Sequence, residues 1–176
     1  MQTRGLILVV DDEEPLRVML GALLRMNGFR VLLAGTSNDA LRICARLTRP
    51  INLLITDIQL PELSGFDLAA VLAIERPAMP VLFISGAFTE QDPEIRTRMT
   101  AGRDFLAKPF APGVFAKKVE SILAVPQNVG GAEPVHLRSS VLDAVEARTT
   151  GSRNVLVARH CKKSTIWHRA CFSPYV

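Results

Sequence analysis

The chain has 176 residues, a net charge of +4 at pH 7 and a hydrophobic fraction of 48%. This composition supports one domain with a real core, and it excludes a chain that is disordered throughout. No apolar stretch approaches the ~18 residues of a membrane span, and the first apolar run, Leu6–Val10, is shorter than the roughly 7–15 residues of a secretory signal. Together with three widely separated cysteines, this favours a cytoplasmic protein.

Five short apolar runs alternate with segments of helical period in the first 125 residues. The runs are continuously apolar, which is typical of parallel strands covered by helices on both faces. We therefore predict an α/β fold with a doubly wound, five-stranded parallel sheet. The predicted strands occupy residues 6–10, 30–34, 51–56, 80–84 and 104–107.

The intervening segments predict five helices. Pro15 opens the first helix, where its missing N–H costs no hydrogen bond, and Gly28 closes it. Ser37 is the candidate N-cap of the second helix. The apolar period places Met19 of the first helix and Val114 of the fifth against the core. The third, fourth and fifth helices are predicted at residues 65–74, 92–101 and 114–123.

The composition changes after residue 124, so we place a first domain at residues 5–124. Residues 125–137 have the Pro, Gly and Asn content of a linker. Residues 138–176 predict a basic, largely irregular and poorly ordered tail. Residues 1–125 hold 14 basic and 14 acidic side chains, whereas residues 126–176 hold 7 and 3, so the positive charge belongs to the tail.

Two functions of the tail are weaker hypotheses than a solvated basic segment. His160, Cys161, His168 and Cys171 are zinc-type ligands, but the usual C-x2-C spacing is missing. The basic residues around Trp167 favour nucleic acid only weakly, because no helix-turn-helix pattern accompanies them. Nucleic acid and membrane are therefore not expected partners.

Polar side chains follow four of the predicted strands. Asp11 and Asp12 follow the first strand, Asp57 the third, Ser85 the fourth and Lys108 the fifth. The carboxyl ends of parallel strands converge on one crevice, which is where ligands bind. Three carboxylates, a hydroxyl and an ammonium at this edge indicate a site for a divalent cation and a phosphoryl group.

Each of these residue types suits phosphoryl chemistry. The Asp57 carboxylate is the candidate nucleophile, which would form an acyl phosphate. Asp11 and Asp12 would bring Mg²⁺, which offsets the repulsion between the nucleophile and an anionic phosphoryl donor. Lys108 would supply positive charge to the phosphoryl oxygens, and Ser85 one hydrogen bond.

Four segments together resemble the receiver domain of bacterial two-component response regulators, and the resemblance covers residues 5–124. The segments are VVDDEEP at 9–15, ITDIQLP at 55–61 with Gly65, FISG at 83–86 and FLAKPF at 105–110. The resemblance implies a flavodoxin-like (βα)5 fold. It also implies that a histidine kinase or phosphotransfer protein donates a phosphoryl group to Asp57 in a Mg²⁺-dependent reaction.

The resemblance further implies a ligand set for the cation. Asp12 is the implied direct ligand, and Asp11 acts largely through water. Asp57 and the backbone carbonyl of Gln59 complete the set. Lys108 is the implied lysine of the phosphorylation site.

A switch is implied as well. Ser85 moves toward the new phosphoryl oxygens, and Phe105 rotates into the space that Ser85 leaves. This alters the face made by the fourth helix, the fifth strand and the fifth helix, which a downstream protein reads. Phe105 lacks the hydroxyl of a tyrosine, and whether phosphorylation drives homodimerisation is left open.

We expect a signalling module that modifies only itself, by phosphoryl uptake on Asp57 and slow hydrolysis, and therefore no enzyme acting on other substrates. One alternative is a DNA-binding response regulator whose output element is the short basic tail. The other is a Mg²⁺-dependent phosphatase with an Asp nucleophile. Such phosphatases usually carry Asp-x-Asp after the first strand, whereas Asp11 and Asp12 are adjacent.

Overall fold

The computed structural model describes residues 4–99 and 102–124, in which strands and helices alternate. The strands are β1 (Leu6–Val10), β2 (Arg30–Ala34), β3 (Leu53–Asp57), β4 (Val81–Ser85) and β5 (Arg103–Ala107). The helices are α1 (Glu14–Met26), α2 (Ser37–Arg46), α3 (Gly65–Glu75), α4 (Pro93–Arg98) and α5 (Pro112–Ala124). The predicted linker and tail, with the four zinc-type ligands and Trp167, lie outside the described residues.

All five strands are parallel, in the order β2-β1-β3-β4-β5. The central strands β1, β3 and β4 are buried along their whole length, whereas the edge strands β2 and β5 are partly exposed. Full burial explains the continuous apolar runs in the sequence. The winding direction reverses between β1 and β3. The prediction of a doubly wound, flavodoxin-like fold is therefore confirmed.

Hydrophobic clusters cover both faces of the sheet. One cluster packs residues such as Leu8 and Leu54 against α2, α3 and α4, and the other packs Ile7 and Ile55 against α1 and α5. Neighbouring residues of one strand belong to opposite clusters because side chains alternate along a strand. Full burial of each such side chain contributes about 1.5–3 kcal/mol relative to exposure. The resulting sheet is a rigid support for the residues at its carboxyl edge.

The predicted N-cap of α2 is wrong by one residue. Thr36 precedes the helix with an extended backbone, and its Oγ1 accepts a hydrogen bond from Asp39 N at 3.0 Å. Ser37 is the first helical residue, and its hydroxyl donates instead to the Leu63 carbonyl at 2.7 Å. The side chain of a cap must lie outside the helix to reach the amide of the third helical residue, which Thr36 does and Ser37 does not.

The inward positions predicted for Met19 and Val114 are also wrong, since these side chains are 40% and 52% exposed. Leu20 on α1 and Phe115 on α5 are buried next to them. The apolar stripes are therefore wider than the buried faces. Helix α4 spans Pro93–Arg98 and ends before Met99, whereas the prediction was 92–101, of which residues 100–101 lie outside the described residues.

The strands β3 and β4 each end one residue later than predicted. Asp57 and Ser85 are consequently the last residues of their strands. In the described part of the chain, no helix is both long and apolar enough to cross a membrane.

Candidate functional site

Asp11 and Asp57 meet at the carboxyl edge of the sheet, where the winding reverses. Asp57 ends β3 and Asp11 directly follows β1, the strand with which β3 pairs. Asp11 is 1% exposed and Asp57 is 7% exposed. These two carboxylates and that of the exposed Asp12 each have an oxygen within 4.8 Å of the others. The structure thus brings the three predicted carboxylates into one cluster.

Lys108 joins this cluster from the end of β5. Its Nζ lies 2.5 Å from Asp57 Oδ2, 3.1 Å from Asp11 Oδ2 and 3.1 Å from Glu13 Oε1. The Lys108 backbone N–H donates to the Ser85 carbonyl at 2.8 Å, and the peptide bond to Pro109 is cis. The Lys108 ammonium therefore contacts both the carboxylate that follows β1 and the carboxylate that ends β3.

Burial and ion pairing act in opposite directions on the charges of the site. Desolvation lowers the pKa of Lys108, but hydrogen bonds and charges from Asp57 and Asp11 outweigh it, so the pKa of Lys108 is raised. Desolvation also raises the pKa of Asp11, although the hydrogen bond from Lys108 partly opposes this. The ammonium is thus firmly charged at neutral pH, and a further cation near Asp11 would stabilise its ionised form.

Backbone groups orient the two buried carboxylates. Asp57 Oδ1 accepts from Gln59 N at 2.7 Å, and Asp11 Oδ1 accepts from Glu13 N at 2.9 Å. Helix α3 begins against the same loop, where Gly65 N donates to the Ile58 carbonyl at 2.9 Å. A Cβ on Gly65 would lie 2.0 Å from the Asp57 carbonyl oxygen. Glycine is required there by this close approach.

The donor set fits a hard divalent cation such as Mg²⁺, which binds carboxylate and carbonyl oxygens. Within residues 4–99 and 102–124, no hydrogen-bond donor contacts the Asp12 carboxylate or the Gln59 carbonyl. The Asp12 carboxylate lies within the cluster, and Gln59 is joined to Asp57 through its backbone N–H. Asp11, Asp12, Asp57 and the Gln59 carbonyl are therefore the groups that would hold the cation.

Neither predicted switch residue forms a side-chain hydrogen bond with Asp57 in the described part of the chain. Ser85 is fully buried at the end of β4, and its Oγ accepts from Ala87 N at 3.2 Å. Phe105 pairs with Phe83 in the β4–β5 register and is 4% exposed. The ring thus occupies a buried position. A side chain without a hydroxyl has no polar atom to keep at the surface, which explains this burial.

Two charged residues of the site were missed by the strand-end pattern. Glu13 contacts Lys108, and Arg17 Nη1 donates to the Asp11 carbonyl at 2.6 Å. Glu13 directly follows the aspartate pair in the sequence, so its position could have indicated that it belongs to the site. The contact of Arg17 is with a backbone oxygen, which no pattern of residue types reveals.

Comparisons with known proteins agree with this geometry. The family model of the response regulator receiver domain matches residues 7–120. The chain is 35% identical over 105 residues to the probable transcriptional regulatory protein TcrX of Mycobacterium tuberculosis, covering 60% of this chain and 44% of TcrX. It is 28% identical over 146 residues to the phosphate regulon transcriptional regulatory protein PhoB of Pseudomonas aeruginosa, covering 82% and 62%.

A solved structure shares the fold. The receiver domain of the hybrid histidine kinase CckA is 33% identical, with a TM-score of 0.58, and the match covers 68% of this chain and 99% of that domain. The chain spans less than two thirds of the length of TcrX and of PhoB. The sequence, the sheet order and the acidic cluster with its lysine agree: the chain belongs to the receiver domains of two-component response regulators.

Proposed function

We propose that the chain accepts a phosphoryl group on Asp57 from a phosphohistidine of a histidine kinase or phosphotransfer protein, with Mg²⁺ as the cofactor. The observation that carries this proposal is the pairing of Asp57 with Lys108 beside two further acidic residues. An oxygen of Asp57 forms a bond to phosphorus, and the phosphorus–nitrogen bond of the donor breaks. The imidazole leaves with a proton from solvent, and an acyl phosphate remains.

Lys108 supports this step by its fixed charge. Its Nζ already lies at the carboxylate that is to be phosphorylated, so the ammonium can stay close to the transferred oxygens with little rearrangement. Bound Mg²⁺ would neutralise part of the negative charge shared by the nucleophile and the phosphoryl group. Later attack by water on phosphorus returns Asp57 and releases inorganic phosphate, so the protein modifies only itself.

Exposed apolar side chains near the site suit a protein donor. Val18 and Met19 are 52% and 40% exposed on α1, the helix that directly follows Asp11 and Asp12. Val114 is 52% exposed in the first turn of α5, which follows Lys108. Apolar surface at the rim of the site offers docking contacts to a protein that must bring its phosphohistidine to Asp57.

The output side of the proposal involves α4, β5 and α5. A groove of about 370 Å³ lies among these elements, with Ile95, Met99 and Phe105 among its lining residues. A phosphoryl group on Asp57 would attract the Ser85 hydroxyl, which now accepts from Ala87 N. Movement of Ser85 would shift the loop that leads to α4 and leave space behind it. Rotation of Phe105 into that space would change the groove, which Phe105 lines.

The test is phosphoryl uptake with acetyl phosphate as donor, followed by intact mass and phosphoprotein mobility-shift electrophoresis. We expect one Mg²⁺-dependent, acid-labile phosphoryl group on the wild type and none on Asp57→Asn. Glu75→Gln, at the far end of the helix that begins beside Asp57, should behave as wild type. Multiple turnovers of p-nitrophenyl phosphate would favour the phosphatase alternative and contradict the proposal.

A further inference from the structure

Arg17 reaches from α1 back to the loop that carries Asp11 and Asp12. Its Nη1 donates to the Asp11 carbonyl at 2.6 Å and lies 3.4 Å from the Asp12 carbonyl. These carbonyls belong to the same two residues whose carboxylates form the acidic cluster. The guanidinium therefore holds the backbone of the cation-binding loop without contacting the cluster's carboxylates.

The three carboxylates of the cluster differ in how they are held. Asp11 accepts from Glu13 N and Lys108, and Asp57 accepts from Gln59 N and Lys108. In the described residues, no group donates to the carboxylate of Asp12, which is exposed. The location of the Asp12 carboxylate therefore depends on its own backbone.

Arg17 also lies close to a second loop. A Cβ on Gly35 would lie 3.4–3.6 Å from the Arg17 guanidinium, so the guanidinium lies over the turn between β2 and α2. Its side chain is only partly exposed. A planar, forked donor held in this way can restrain neighbouring carbonyls, which a lysine ammonium does less well.

We propose that Arg17 is a positioning residue, which presets Asp12 for the divalent cation by holding the loop between β1 and α1. This rests on the proposed function, because the cation serves phosphoryl uptake on Asp57. Outer groups that orient metal ligands are often worth 10–100-fold in metal affinity.

Positioning and simple electrostatics predict opposite changes in Mg²⁺ affinity when Arg17 is replaced. A positive guanidinium near the site repels Mg²⁺, so its charge alone weakens binding, and removing it would tighten binding. If Arg17 acts by positioning, removing it weakens binding. The sign of the change in Mg²⁺ affinity therefore separates the two effects.

The experiment is a calorimetric titration of the full chain with Mg²⁺ alone, on wild type, Arg17→Gln, Arg17→Lys and Arg25→Gln. Arg25 is exposed on the same helix, so its variant removes the same charge without touching the loop. We expect both Arg17 variants to raise the Kd about tenfold, and Arg25→Gln to leave it unchanged or slightly lower. With acetyl phosphate, the half-saturating Mg²⁺ concentration should rise while the maximal rate stays close to that of the wild type.

A wild-type or lower Kd in folded Arg17→Gln overturns the positioning role and leaves the proposed function intact. If Arg17→Gln does not fold, Arg17→Lys decides, because it retains the charge and most of the stem. Weaker Mg²⁺ binding without any phosphoryl uptake by the wild type would uphold the positioning role and contradict the proposed function. A wild type that binds no Mg²⁺ contradicts both.

Discussion

Lys108 Nζ lies 2.5 Å from Asp57 Oδ2 and at the same time 3.1 Å from Asp11 Oδ2. A single ammonium thus offsets part of the charge of two buried carboxylates that are also expected to hold the cation. Positive charge is needed here because burial penalises ionised carboxylates. Lys108 and Mg²⁺ therefore act on the same charges.

Replacing Lys108 with Met should tighten Mg²⁺ binding while abolishing efficient phosphoryl uptake. A unit charge 4 Å away is worth about 1 kcal/mol in water and more in a partly buried site, so we expect the Mg²⁺ Kd to fall about fivefold or more. Calorimetry with Mg²⁺ and intact mass after acetyl phosphate measure the two effects. The control is Lys118→Met on α5, which removes an ion pair with Asp104 of β5. Weaker Mg²⁺ binding by Lys108→Met would contradict the shared-charge account.

A protein donor of the phosphoryl group should need the exposed apolar side chains of α1, whereas a small-molecule donor should not. Val18→Glu and Met19→Glu place charge where we propose apolar anchoring contacts. Transfer from a responsive histidine kinase should slow at least about tenfold, because loss of an anchoring contact costs about 2 kcal/mol or more. Uptake from acetyl phosphate should not change.

Met26→Glu is the matched control for the rim. Met26 is 83% exposed at the last position of α1, about 12 Å along the helix from Val18. Equal loss of kinase transfer in Met26→Glu, measured by radiolabelled phosphoryl transfer, would sink the docking assignment.

Gly65→Ala should damage both stability and phosphoryl uptake. The new Cβ would lie 2.0 Å from the Asp57 carbonyl oxygen and 3.0 Å from Thr56 Oγ1, so the start of α3 must move. We expect a loss of about 1–3 kcal/mol in the free energy of unfolding, measured by urea denaturation. Gly113→Ala has open space around the new Cβ and should be neutral or slightly stabilising. Wild-type stability in Gly65→Ala would contradict the close approach.

Cys44 should react slowly with alkylating reagents. Desolvation by burial raises the pKa of Cys44 from 9.0 to about 11, with a smaller opposing effect of Arg76. The thiolate is thus disfavoured in the folded state, and stability is lost as the pH rises toward that value. In the double variant Cys161→Ser/Cys171→Ser, the rate at which iodoacetamide alkylates Cys44 of the folded chain should still rise through pH 10. In urea the rate should be half-maximal near pH 9.0, the ordinary pKa of the thiol, and then level off. The same profile in the folded chain would refute the shift.

The sequence predicted most of the fold because its signals are strong and local. The buried central strands leave continuous apolar runs, and convergence of parallel strand ends places Asp11, Asp57 and Lys108 together. The edges of the buried helix faces were less predictable. Met19 and Val114 have the right period but lie outside the buried faces, because periodicity does not give the width of the covered surface.

Contacts that involve the backbone were not predictable. Thr36 and Ser37 are both good caps, and only the dihedral angles decide between them. Arg17 binds a main-chain carbonyl, which any residue type at position 11 would offer. The burial of Phe105 depends on its packing beside β4, which the strand-end pattern does not describe.

Phosphorylation of Asp57 is tested by locating the phosphoryl group in the chain. Borohydride reduces an aspartyl phosphate to homoserine, so reduction after acetyl phosphate and Mg²⁺, followed by peptide mass mapping, identifies the modified carboxyl. We predict homoserine at position 57 alone, dependent on Mg²⁺ and absent from Asp57→Asn. Homoserine at Asp11 or Asp12, or no reduction product in a chain that gained a phosphoryl group, would contradict the account.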